Sequence, residues 1–229
     1  MKKDLRYLRD KNKFLEFSYI ALKEQFRSKN EFISFFNSIE GAEQQNLFLK
    51  TASFYLFLVK QGDWIVDINR SIPKVGYLTD TYKYIGLFSL IESLQTEKFI
   101  DFYSYLIRRK SKVQFPINDK NKLENWYKKY KEEFGSITQA VSFFKGLSKK
   151  RQGYLTETLE VGDAKPSIEN LSKYLYELRS KFVHEAELIL NMSESTTIGS
   201  NGKKIVVCKI SIKDLMTFFE EGLVNYFKV

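Results

Sequence analysis

The stretch Leu171-Ser172-Lys173-Tyr174-Leu175-Tyr176-Glu177-Leu178-Arg179-Ser180-Lys181-Phe182-Val183-His184 decides how the chain reads. Leu171, Leu175, Leu178 and Phe182, continued by Ala186 and Ile189, recur at helical spacing and form one apolar stripe. Ser180 and His184 are four apart, so they stack one turn above the other. At about 100° per residue they fall roughly 160° from Phe182, opposite the stripe. Tyr176, Val183 and Glu187 flank them. Arg179 sits at an intermediate angle, from which its long side chain can swing toward the histidine. Ser167 fits the N-cap of this helix, which the pattern carries to about Asn191.

Outward from this helix the period stays helical. Helices are expected at 3–27, 31–38, 40–60, 79–94, 97–109, 119–133 and 136–147, with Gly135 as the break between the last two. The 64–73 stretch is ambiguous between an extended segment and a short helix, and 153–166 reads as a loop with one helical turn at most. Pro73, Pro116 and Pro166 all fall at breaks. The character changes once, near 196–210, where two short strands flank a turn containing Asn201-Gly202. A last helix opens at Ser211 or Ile212 and runs through Phe227. The expected fold is mainly all-α: a helical bundle with a small β-hairpin before the last helix. Residues 1–75 form an N-terminal helical extension and 76–229 the bundle, together one compact unit.

Composition narrows the function. A hydrophobic share of 43%, with 20 Phe and 14 Tyr, suits a globular chain with a real core. One cysteine, Cys208, forms no internal disulfide, and one Cys with one His builds no structural zinc site. The segment after Met1 lacks the apolar core of a signal peptide, and the longest apolar run, Phe54 to Val59, is too short to span a bilayer. A cytoplasmic protein without membrane partners is expected. Walker-type loops, His-Glu-x-x-His and Gly-x-Ser-x-Gly are absent from the sequence. Asp63 and Asp67, Glu132-Glu133 and Glu220-Glu221 are acidic pairs too ordinary to imply a metal site. No metal or cofactor is expected.

The positive charge is concentrated. The chain carries 37 Lys and Arg against 28 Asp and Glu, and the whole excess lies between Arg108 and Arg151, where the count is 13 against 4. This segment holds Arg108, Arg109, Lys110, Lys128, Lys129, Lys131, Lys149, Lys150 and Arg151, with Trp126, Tyr127 and Tyr130 interleaved. Lysines meet phosphates and rings stack on unpaired bases, so the pattern suits a nucleic-acid surface. It equally suits a solvated helix face with Trp126 and Tyr130 packed inward.

His184 is the only histidine and the one side chain whose ordinary pKa suits proton transfer near neutrality. On an amphipathic helix it can also be a plain surface residue. The string Tyr174 to His184 resembles the signature helix of HEPN domains, most nearly the Apea-like branch, in which Arg-Ser and a following histidine recur. Arg179, Ser180 and His184 match that pattern. The stretch Leu87-Phe88-Ser89-Leu90-Ile91-Glu92-Ser93-Leu94 resembles the earlier family helix with an acidic residue, which maps to Glu92. The resemblance covers about 76–229. Two positions depart from it: Ala186 replaces the tyrosine two places after the histidine, and Glu185 the glycine that often follows it.

The resemblance implies a metal-independent ribonuclease working as a homodimer, with two motif helices facing across a cleft, in phage defence or a toxin system. Arg179, Ser180, His184 and Glu92 are its implied catalytic residues, and the basic segment would hold RNA. One histidine per chain cannot serve as both acid and base, whereas two chains supply both. The alternatives are a non-catalytic HEPN module binding RNA, a nucleotide or a protein partner, and a basic helical scaffold.

Overall fold

The computed structural model describes residues 5–62, 74–94, 100–109, 112–162, 167–185, 196–201 and 204–228. These residues are mostly helical, with one small sheet ahead of the last helix. The N-terminal portion comprises α1 (Arg6–Arg9), α2 (Lys11–Leu22) with a 3₁₀ turn at Lys23–Gln25, α3 (Lys29–Ser38) and α4 (Ala42–Tyr55). Then come α5 (Lys74–Ser93), α6 (Phe102–Arg108), α7 (Lys120–Phe134), α8 (Ser136–Lys145) and α9 (Lys149–Thr158). The chain ends in β1 (Leu159–Val161), α10 (Ile168–Glu185), β2 (Thr197–Asn201), β3 (Lys204–Cys208) and α11 (Ile212–Phe227).

Side-chain caps set many of these boundaries by accepting the orphan N–H groups of a first turn. Ser28 accepts from the Glu31 amide, Ser148 from Arg151 and Ser167 from Asn170. Ser211 and Asp214 form a reciprocal capping box on α11. Asp101 caps α6, which therefore begins at Phe102; the expected start near residue 97 lies outside the described residues. The single helix expected over 3–27 is interrupted at Asp10. Gly135 separates α7 from α8 as expected. A Cβ there would come within 2.2 Å of the Lys131 carbonyl oxygen, so the close approach requires glycine.

Other regions also differ from expectation, and α5 begins at Lys74, five residues ahead of the expected 79. The loop expected over 153–166 contains the end of α9 and all of β1. Ser148 starts that helix, and Gly153 sits within it where nothing crowds an added Cβ. β1 then pairs antiparallel with β3, Leu159 opposite Cys208, giving a three-stranded sheet in the order β1-β3-β2. The hairpin lies where expected, but its first strand runs on to Asn201, which pairs with Lys204. The ambiguous 64–73 stretch, with Asp63, Asp67 and Pro73, lies outside the described residues, as do Pro166 and Gly202.

One core cluster joins the N-terminal helices to the bundle. Phe48 of α4 meets Phe227 of α11 edge-on at 5.4 Å, Tyr55 packs on Phe219 at 4.8 Å, and Phe88 of α5 contacts Phe144 of α8. Each buried Phe contributes on the order of 1.5–3 kcal/mol. α4 continues into a π turn, Leu56–Lys60, closed by the Gln61 amide donating to the Leu56 carbonyl. Residues five apart on a regular α-helix point about 140° apart. The wider turn lets Tyr55 and Lys60 reach the same buried oxygen, Glu220 Oε1, at 2.7 and 2.8 Å. Gln25 donates to Glu220 Oε2 at 3.3 Å, which ties the end of α2 to α11.

A second, smaller cluster gathers Ile100, Tyr105, Leu106, Val113 and Phe134, with Trp126 and Tyr130 packed against it. Both rings pack inward yet stay half-buried, so each keeps an accessible edge. Tyr127 stays exposed.

Candidate functional site

α10 lies against α8, α5 and α9. Leu171, Leu175 and Leu178 are buried as the stripe demands and Phe182 is half-buried, while Ala186 and Ile189 lie outside the described residues. The Tyr84 hydroxyl of α5 donates to the Leu175 carbonyl, fixing α10 on its neighbour.

Arg179 does not swing toward His184. Its Nη2 donates to Glu92 Oε2 at 3.1 Å, and the two side chains are only 15% and 25% exposed. The Tyr176 hydroxyl donates to Glu92 Oε1 at 2.9 Å, so the carboxylate is held by both residues of an i,i+3 pair on α10. The guanidinium also lies 5.7 Å from the Tyr176 ring centroid. Arg179 Nε is buried without a hydrogen-bond partner among the described residues. Burial, reinforced by Glu92, pushes the Tyr176 hydroxyl above its ordinary range, while Ser136 and Arg179 act the other way.

Tyr176 is the contributor that the motif reading left as a flanking residue. Its signal was present, since it lies one turn before Arg179 on the same face.

Ser180 is half-buried and His184 exposed, both on the side away from the core. Among the described residues neither makes a hydrogen bond or ion pair. Beside them Val183 is 47% exposed. The structure therefore brings Glu92, Arg179 and Tyr176 into one cluster and leaves Ser180 and His184 open on the adjoining face.

The basic residues divide into two groups. Arg108 ends α6 and Lys128, Lys129 and Lys131 lie on α7, all exposed and without an ion pair among the described residues. Arg109 is engaged, bonded to Glu133 at 2.5 Å and stacked on Tyr105. Lys149, Lys150 and Arg151 open α9, where Arg151 pairs with Glu221 at 3.3 Å. Lys110 lies outside the described residues. No group of three or more His, Cys, Asp or Glu is placed to hold a metal ion among the described residues, and none of their helices is long and apolar enough to cross a membrane. No protein-family model, curated protein or solved structure matches the chain.

Proposed function

We propose that this chain is a metal-independent endoribonuclease of HEPN type, acting as a two-fold dimer. The observation that carries the reading is the pairing of an anchored arginine with an open histidine on one helix. Glu92 holds Arg179 from α5, and His184 stands exposed further along α10, without a hydrogen bond or ion pair among the described residues. Two such helices meeting through their Ser180/His184 faces would supply two imidazoles to one phosphate, and isologous contacts of this kind are the commonest in oligomers.

The chemistry follows from those residues. One His184 takes the proton of the RNA 2′-hydroxyl, whose oxygen attacks the adjacent phosphorus. The histidine of a second copy protonates the departing 5′-oxygen. Arg179 offsets the charge gathered on the phosphorane oxygens. The products are a 2′,3′-cyclic phosphate and a 5′-hydroxyl. The test is incubation of purified protein with mixed RNA in EDTA, wild type beside His184→Ala. Cleavage only by wild type supports the reading, and undiminished cleavage by the variant rejects the site.

One observation favours a second reading, a non-catalytic module binding RNA, a nucleotide or a protein. Arg179 already spends a guanidinium bond on Glu92. Tight RNA binding without cleavage, in wild type and variant alike, would select it.

A further inference from the structure

Residues 112–119 and the first turns of α7 line a cleft of about 500 Å³. The volume lies within the range of small-ligand sites. Lys112, Gln114, Asn118, Asp119, Lys122 and Trp126 contribute to its lining, and no residue of α10 does. Lys112 and Lys122 are exposed and both line this opening, and neither has a carboxylate partner among the described residues. Asp119, the carboxylate on this wall, is committed to the backbone, accepting from the Asn121 and Lys122 amides at 2.8 and 3.3 Å.

The aromatic wall is held in place. The Trp126 ring meets Tyr105 of the smaller core cluster edge-on at 6.5 Å and is half-buried, so its position is fixed before a ligand arrives. Lys129 Nζ lies 4.9 Å from the Trp126 ring centroid. A flat, electron-rich ring that shares one cleft with Lys112, Lys122 and the amides of Gln114 and Asn118 matches an unpaired nucleobase with its phosphate. The base stacks or edges against the indole, the amides offer donors and acceptors to its polar rim, and the ammonium groups take the phosphate.

We infer that this cleft is a binding subsite for one nucleotide unit of single-stranded RNA, remote in the chain from the His184 helix. The choice of RNA rests on the ribonuclease reading; the base-plus-phosphate chemistry rests on the cleft itself. Charge alone would suit any polyanion, but Lys112 and Lys122 share this cleft with a packed indole, which a purely electrostatic surface does not need.

The chain has two tryptophans, so Trp64→Phe leaves Trp126 as the sole indole reporter. In a Trp64→Phe, His184→Ala chain, single-stranded oligouridylate should quench Trp126 emission. Lys112→Glu with Lys122→Glu should weaken that binding by roughly 5- to 100-fold and flatten its salt dependence, by about 0.7 in log–log slope for each phosphate no longer neutralised. Both substitutions are on exposed side chains, which keeps the fold out of the readout. RNA that binds without changing Trp126 emission, or with unchanged affinity after the double charge reversal, overturns the subsite. So does equal quenching by free uridine monophosphate at the same nucleotide concentration, which would assign the cleft to a mononucleotide. Cleavage is scored separately with His184 restored. A chain that cleaves RNA while Trp126 stays silent loses the subsite and keeps the nuclease, and one quenched by RNA that it never cleaves does the reverse.

Discussion

Glu92 and Arg179, 87 residues apart in sequence, are joined at 3.1 Å, so the guanidinium of α10 is anchored on α5 in the isolated chain. With Tyr176 on its other oxygen, the carboxylate is a structural hub as well as a site residue.

Glu92→Ala should therefore destabilise the chain by about 1–3 kcal/mol, leaving a largely buried guanidinium without its counter-charge. Adding Arg179→Ala should cost less than the sum of the two single changes, with a coupling on the order of 0.5–3 kcal/mol. Urea unfolding of the four proteins measures this. Strict additivity would mean that the pair is not an anchor.

If the ribonuclease reading holds, cleavage survives EDTA and leaves 2′,3′-cyclic phosphate and 5′-hydroxyl ends, read by end-specific labelling. His184→Ala should lower the rate by ~10²–10⁴-fold. Because His184 is exposed, the thermal midpoint should not move with it. A large fall in stability instead would recast the histidine as a packing residue.

Glu220→Ala should cost about 3–5 kcal/mol, because it leaves the largely buried Lys60 ammonium with the Ala21 carbonyl but no counter-charge, and takes the short hydrogen bond from the buried Tyr55 hydroxyl. Chemical denaturation gives the magnitude. Limited proteolysis should show the N-terminal helices released first, since Glu220 binds both the end of α4 and Gln25. Wild-type resistance in the variant would remove Glu220 from that role.

Burial pushes the Cys208 thiol up to about 11 from its ordinary 9.0. The folded chain holds this proton more tightly than the unfolded one. Its contribution to stability is therefore complete below pH 9 and lost as pH rises through 11. Burial pushes the Tyr55, Tyr84 and Tyr174 hydroxyls in the same direction. Urea midpoints should fall steadily above pH 9, and native Cys208 should resist thiol reagents at pH 8. Rapid labelling of the folded chain would contradict the burial.

What the sequence made legible was mostly local. The apolar period placed α3, α4, α7, α8 and α11 within a few residues, and the start of α10 too, because periodicity and capping are written in neighbouring side chains. β1 was hidden because three residues, Leu159–Val161, become a strand only through Cys208 and its neighbours, nearly 50 positions away. α9 was obscured by Gly153, although Ser148 ahead of Lys149-Lys150-Arg151 was a usable cap signal. In the candidate site, the motif on α10 and the acidic position on α5 could be named separately. That Arg179 turns to Glu92 rather than to His184 depends on how the two helices pack, which no spacing within either one encodes.

The π turn at Leu56–Lys60 gives this part of the chain a reading frame of its own. What matters between Tyr55 and Lys60 is the number of residues as much as their identity. Removing Phe57 or Leu58 would close the turn into ordinary α-helix with Tyr55 and Lys60 four apart, only about 40° from one another, so Lys60 would still reach the carboxylate that Tyr55 keeps. Side chains along the exposed edge, Phe57 and Leu58, have room to change. The count has one residue to lose and none to gain: an insertion there would set Lys60 six places from Tyr55, about 120° away round a regular helix, and should do more harm than several substitutions.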